Sequence, residues 1–268
     1  MAERSATDHS GGTLISNSSA YVYLRNYAGL AGALSVLVEN RLDPPGGTYP
    51  TPRNLAERVR KQALCARAFL ELAVRERGAI RARVEAARGG WRQPAPVALA
   101  ASWGLDPVRS AIEIPLRRAD SGALVAQRFS YRGRIERADS LALPAAYVVP
   151  GASASLRTLL AAHGIALEAV PSAFGAQVVV QRVSAVERIP RSIGGVEVAV
   201  ELALSTRESV ETREIELGDL RVPFPQPAAR LAALLLEPRS TTGIFRSRAF
   251  ADGLAPGDEL PVLRLPAD

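Results

Sequence analysis

The pattern of apolar and polar positions has two textures along this chain, and the change falls near residue 90. In the first part, Leu34 to Val38 is a near-continuous apolar run of the length and β-branched content expected for a strand buried on both faces. The stretch from Asp43 to Pro52 carries four prolines and two glycines, so it reads as a loop that no helix or central strand could hold. Beyond it, Asn54 stands where a helix cap belongs. Leu55, Val59, Ala63, Ala66, Leu70, Ala73, Ile80 and Val84 recur at close to helical spacing. The spacing predicts one long helix over residues 54–87, stopped by Gly89-Gly90. A buried strand followed by an amphipathic helix is the edge unit of an α/β domain.

After Gly90 the pattern shortens to β-like stretches. Val97–Ala101, Ser110–Pro115, Leu124–Tyr131 and Ala145–Val149 read as strands, with turn signals such as Asp120-Ser121-Gly122 between them. Ser153–His163 reads as a helix with Gly164 in the position that ends it. Ile165–Val170, Gln177–Arg188, Val196–Ser205 and Glu211–Leu217 read as extended. Pro225–Leu236 reads as a second helix, with Pro in its first turn and Leu231, Leu234 and Leu235 on its apolar face. The chain thus divides into three regions: a polar leader over 1–20, loop-like or disordered; an α/β segment over 21–90; and a β-rich α+β region over 91–268, divisible at 150/151. No repeat of solenoid or propeller period occurs.

Composition narrows the function classes. A net charge of +6 invites a nucleic-acid reading, but Lys61 is the only lysine, the arginines are scattered, and aromatics make up 5%. The electrostatic footprint and the stacking platform are both lacking, so no nucleic-acid partner is expected. Cys65 is the single cysteine and excludes an intrachain disulfide or a thiolate zinc site; its Ala- and Leu-rich surroundings suit packing. No uninterrupted apolar run of membrane-spanning length occurs and the leader shows no secretory pattern, so a soluble chain with no membrane partner is expected.

Few residues can carry chemistry. His9 lies in the polar leader and His163 at a helix end, where an imidazole meets the last carbonyls. Nucleophile-elbow, P-loop and dinucleotide-binding glycine patterns are absent. Glu39 differs, because it follows directly on the apolar run and would sit at the carboxyl end of a buried strand, where open α/β sheets place ligands. Partial desolvation there suits a carboxylate to accept a proton. The competing reading is a strand-end charge paired with Arg41 or with an arginine of the following helix.

The order of several phrases carries a resemblance. Tyr23-Leu-Arg-Asn-Tyr-Ala-Gly-Leu, then Ser35-Val-Leu-Val-Glu-Asn, then a helix containing Arg58-Val59, resembles the end of the catalytic domain in bacterial carboxypeptidase A-type zinc peptidases. Pro144-Ala-Ala-Tyr-Val-Val-Pro, Leu159-Leu-Ala-Ala-His-Gly-Ile, Ala232-Ala-Leu-Leu-Leu-Glu-Pro-Arg-Ser and Leu260-Pro-Val-Leu-Arg-Leu resemble the accessory region that follows it in one bacterial subgroup. The resemblance implies a mixed-sheet carboxypeptidase-like domain ending in a strand and a long helix. It implies Glu39 as general base, one of Tyr21, Tyr23 and Tyr27 over the substrate, zinc as the metal of the complete enzyme, and a peptide as substrate. The family's His-x-x-Glu pair, its later histidine ligand and its substrate-gripping arginines have no counterpart here. The chain alone is therefore expected to hold no zinc and to be inactive, as a fragment, as one half of a two-part enzyme, or as a degenerate homologue. A complementary N-terminal segment or self-association is expected to cover an apolar edge at strand 34–38. The alternatives are a non-catalytic module that binds protein or peptide, and an unrelated enzyme that works with carboxylates alone.

Overall fold

In the computed structural model, residues 13–15, 24–39, 55–90, 95–118, 120–193 and 196–267 are described. The chain has a mixed α/β composition with several sheets. It divides into two compact units, Tyr23–Gly90 and a larger one made of residues 1–22 and 91–268.

The smaller unit begins with α1 (Leu24–Leu30). Ala33 N–H donates to Ala28 O at 2.9 Å and Gly32 N–H to Gly29 O at 3.0 Å, the paired bonds that close a helix around a left-handed residue. Gly32 has φ +71°, and Arg88 Cγ lies 2.6 Å from where its Cβ would stand, so both conformation and space require glycine.

Residues 33–39 form neither helix nor strand, which corrects the expectation of a buried strand at 34–38. Leu34 is 63% and Val36 64% exposed. The segment is fastened by Gln62 Nε2, which donates to Val38 O at 3.0 Å. Among the described residues of this unit no strand is present to supply donors and acceptors, and without them an apolar run does not become a strand.

The expected long helix is two, α2 (Leu55–Arg75) and α3 (Arg77–Gly89), separated by Glu76. Glu76 leaves helical geometry at φ −100°, ψ 16°, yet its N–H still donates to Leu72 O at 2.8 Å and Ile80 N–H to Glu76 O at 2.9 Å. Asn54 and the proline loop lie outside the described residues. Neither α2 nor α3 has a buried residue, and the apolar stripe Leu55, Val59, Phe69 and Leu70 faces solvent. What holds α2 locally includes ion pairs one turn apart, Glu57 with Lys61 and Arg67 with Glu71, both at 2.7 Å; each is worth ~0.2–0.5 kcal/mol.

The larger unit contains β1 (Thr13–Ile15), β2 (Val97–Gly104), β3 (Ala111–Arg117), β4 (Leu124–Arg132), β5 (Arg134–Leu141), β6 (Ala146–Val149), α4 (Ala154–Ala162), β7 (Glu168–Ala169), β8 (Phe174–Ile193), β9 (Val196–Ile215), β10 (Leu220–Pro223), α5 (Ala229–Leu236), α6 (Arg248–Ala251) and β11 (Leu263–Leu265). Among the described residues the strands form three sheets, ordered β1-β4-β3, β2-β5 and β7-β10-β6-β11-β8-β9. The last is the platform of the unit. Its core gathers Val148, Val170, Val178, Val180, Ile215 and Leu263.

A long hairpin and a short inner strand distinguish the platform. β8 and β9 are each 20 residues long and pair from Phe174↔Ile215 to Ile193↔Val196, with register shifts between Val183 and Ala185 and between Arg191 and Ser192. The three-residue β11 lies inside the sheet, with Leu263–Leu265 against β6 and Arg264 opposite Val179 of β8. The last described strand thus joins the long hairpin to the rest of the platform.

α4 forms where expected. Ser153 Oγ accepts from Leu156 N–H at its start, and at its end Gly164 N–H donates to Ala161 O and Ile165 N–H to Leu160 O, with Gly164 at φ +69°. Leu160 and Ile165, bridged by that last bond, are both buried.

Candidate functional site

Glu39 ends segment 33–39 of the smaller unit and is exposed, so the desolvation expected from a buried strand end is not present in this chain. Tyr27 lies half-buried on α1 of the same unit. Tyr21, Tyr23 and His9 lie outside the described residues, as does Arg41. His163 occupies the C-cap of α4, in the structural position that the helix pattern indicated. Cys65 is half-buried on α2. Among the described residues no three His, Cys, Asp or Glu side chains converge, so they do not fit the zinc site that the resemblance implies. Likewise, no described helix is long and apolar enough to cross a membrane.

The polar side chains that the structure does bring together belong to the platform. Glu237, which caps α5, is fully buried, as is Tyr147 on β6; Gln181 on β8 is 1% and Arg264 on β11 7% exposed. Tyr147 Oη donates to Glu237 Oε1 at 2.7 Å, and Arg264 Nε lies 3.4 Å from the same oxygen. Arg264 also bonds Glu208 of β9 through Nη2. Burial is the main cause pushing the Glu237 carboxyl above its ordinary range, against the opposing pull of Arg264 and the bond from Tyr147. Burial and the nearby Glu237 likewise push the Tyr147 hydroxyl well above its usual value.

On the outer side of this cluster, a groove of about 580 Å³ is lined by Arg182, Ser184, Arg207, Glu208, Ser209 and Gly257, among others. Of its lining charges, Arg182 and Glu208 are committed to ion pairs with Glu211 and Arg264. Arg182 Nη1 bonds Ser209 Oγ at 2.9 Å and also Glu211; Arg213 Nη2 meets Glu259 Oε2 at 2.7 Å. The Arg182 bond is the main reason the Glu211 carboxyl is held down to about 2. This lattice of arginines and glutamates braces the root of the hairpin and can hold charge, but it does not align a nucleophile with a base.

The signal that singled out Glu39 also describes Glu237, which follows Leu234-Leu235-Leu236 directly. That parallel is legible in the sequence, although the leucines read there only as the apolar face of a helix. Three of the phrases behind the carboxypeptidase resemblance supply the cluster: Tyr147 from the first tail phrase, Glu237 from the third and Arg264 from the fourth. Comparison of the chain with protein-family models, curated proteins and solved structures gave no match.

Proposed function

We propose that this chain is the C-terminal part of a zinc metallocarboxypeptidase-like hydrolase, in which the smaller unit is the last strand and helix of a catalytic α/β domain and the larger unit is an accessory platform. The observation that carries the reading is the paired exposure of two apolar surfaces in one unit. Leu34, Val36 and Leu37 on segment 33–39, and Leu55, Val59, Phe69 and Leu70 on α2, remain in water although the segment is fastened to α2 through Gln62 and Val38. A strand and a helix from which a sheet has been removed would look like this, since each needs the missing strands to bury its apolar face.

In this reading the complementing polypeptide supplies the remaining strands, the zinc ligands and the grip on the peptide's terminal carboxylate. This chain supplies Glu39 as the proton-accepting carboxylate, brought beside the substrate only when strand 34–38 is seated in the sheet. Of Tyr21, Tyr23 and Tyr27, the candidates to lie over the substrate, Tyr27 is the one among the described residues.

The test starts at the locus. The DNA upstream of Met1 is sequenced, and a polypeptide carrying a His-x-x-Glu pair and a later histidine is co-expressed with this chain. The complex should bind zinc and release C-terminal residues from acyl-dipeptides, and Glu39→Gln should abolish that release while zinc stays bound. Upstream sequence unrelated to such motifs, together with a lone chain that is monodisperse and binds no apolar dye, would sink the proposal. A lone chain that is well behaved and retains one defined protein or peptide would favour the non-catalytic binding module instead.

A further inference from the structure

The polar cluster of the platform has one cation, Arg264, and two carboxylates, of which only Glu237 is buried. Arg264 must satisfy Glu237, which is wholly out of water, and Glu208, whose side chain is 41% exposed. If both acids were ionised, Arg264 would be shared between them, and the desolvation cost would fall on Glu237, the one that is out of water.

The hydrogen-bond geometry points the same way. The Gln181 amide faces two donors of Arg264, Nε and Nη2, and its oxygen accepts from both at 3.0 Å when turned toward them. The amide atom in that place is 3.3 Å from Glu237 Oε2. With the oxygen there, two acceptors face each other inside the protein, a repulsion that a proton on one of them removes. Glu237 Oε1 is occupied on its other side by the Tyr147 hydroxyl at 2.7 Å. The free position for the proton is therefore Oε2.

We propose that Glu237 is a neutral carboxylic acid at pH 7, donating from Oε2 to Gln181 Oε1, and that this proton clamps the C-terminal strand β11 between β6 and β8. Glu208 alone then balances Arg264. Four strands contribute: Tyr147 comes from β6, Gln181 from β8, Arg264 from β11 and, behind Arg264, Glu208 from β9. The direction given by burial agrees with the hydrogen bonding. A carboxyl held above its unfolded value adds stability that is complete below that unfolded value and is lost as pH rises through the folded one. Alkalinisation thus ionises Glu237 beside the Gln181 oxygen and loosens β11. Because β11 links the β8–β9 hairpin to β6, the hairpin is the part released.

The full chain is tested by infrared difference spectroscopy and by thermal unfolding against pH. The wild type should show a protonated-carboxyl band at pH 7 that disappears in Glu237→Gln. That variant, which places an amide donor where the acid proton stood, should unfold within about 3 °C of wild type at pH 7 and lose the fall in stability toward alkaline pH. Glu208→Gln should remove the band at pH 7, because Arg264 then draws its counter-charge from Glu237. A wild type without a Glu237-dependent band, or a Glu237→Gln variant that unfolds far below wild type or fails to fold, would overturn the proposal.

Discussion

Replacing Val59 and Leu70 together by glutamate separates an apolar face that awaits a partner from one that is merely exposed. Val59 is 58% and Leu70 69% exposed. Full burial of such side chains is worth ~1.5–3 kcal/mol each, which leaves roughly 1 kcal/mol at Val59 and 1.5 kcal/mol at Leu70 still to be gained on docking. Their loss weakens any association through this face by about 60-fold, and burying the introduced carboxylates weakens it further. Within the isolated chain the same pair should change stability by no more than ~0.5 kcal/mol, since both positions face water and glutamate is a good helix former. Sedimentation velocity at micromolar concentration reads the first effect, and thermal unfolding followed by circular dichroism reads the second. The wild type should self-associate and bind an apolar dye; the double variant should do neither and keep its helix content. A monomeric, dye-free wild type, or a double variant that associates as strongly, would refute the reasoning.

Gly164→Ala should destabilise the larger unit by ~1–2 kcal/mol, because φ is +69° there and nothing lies within 4 Å to add or relieve a clash; a lowered unfolding midpoint in urea checks it. Leu160→Ala, at a fully buried position, should cost ~2–5 kcal/mol by the same assay. Glu211 has its folded value depressed to about 2, chiefly by its bond from Arg182, so it adds stability above the unfolded value of 4.5 that is lost as pH falls toward 2. In Glu211→Gln the unfolding temperature should be lower at neutral pH and fall less steeply with acid; an unchanged acid limb would count against the role given to the Arg182 bond.

Local signals carried α4 and missed the long hairpin, for one physical reason. α4 is specified by Ser153 at one end and Gly164 at the other, within hydrogen-bond reach of the residues they cap. α5 starts at Ala229 rather than at Pro225, because Gln226 turns its side chain back to Pro223 O at 2.8 Å and accepts from Ala166 N–H at 2.7 Å. That partner lies 60 residues away, beyond the reach of any local pattern. Residues 177–188, 196–205 and 211–217 read as separate extended pieces because charged positions such as Arg207 and Glu208 interrupt them. In the fold those positions sit in the middle of a paired strand, Glu208 opposite Gln181 and Arg207 opposite Arg182. β11, at three residues, is a strand only because β6 and β8 flank it. β5 and β10 went unread on similar grounds, being short or dominated by charge.

Glu39 and Glu237 show why a site is harder to read than an element. Each ends an apolar run, so each satisfies the argument that a carboxylate placed there is drawn out of water. The outcome differs because burial belongs to the partners of the run and not to the run itself. Leu234 and Leu236 are buried within the larger unit, and Glu237 is enclosed with them against Tyr147 of β6, Gln181 of β8 and Arg264 of β11. Leu34 and Val36 are exposed, and Glu39 is exposed with them. A carboxylate left in water keeps its hydration and gains nothing as a base, so the chemistry proposed for Glu39 depends on the surface that would cover residues 34–38. The docking face and the catalytic residue are therefore one hypothesis: substitutions at Val59 and Leu70 should suppress the activity of a reconstituted enzyme through assembly, whereas Glu39→Gln should suppress it with assembly intact.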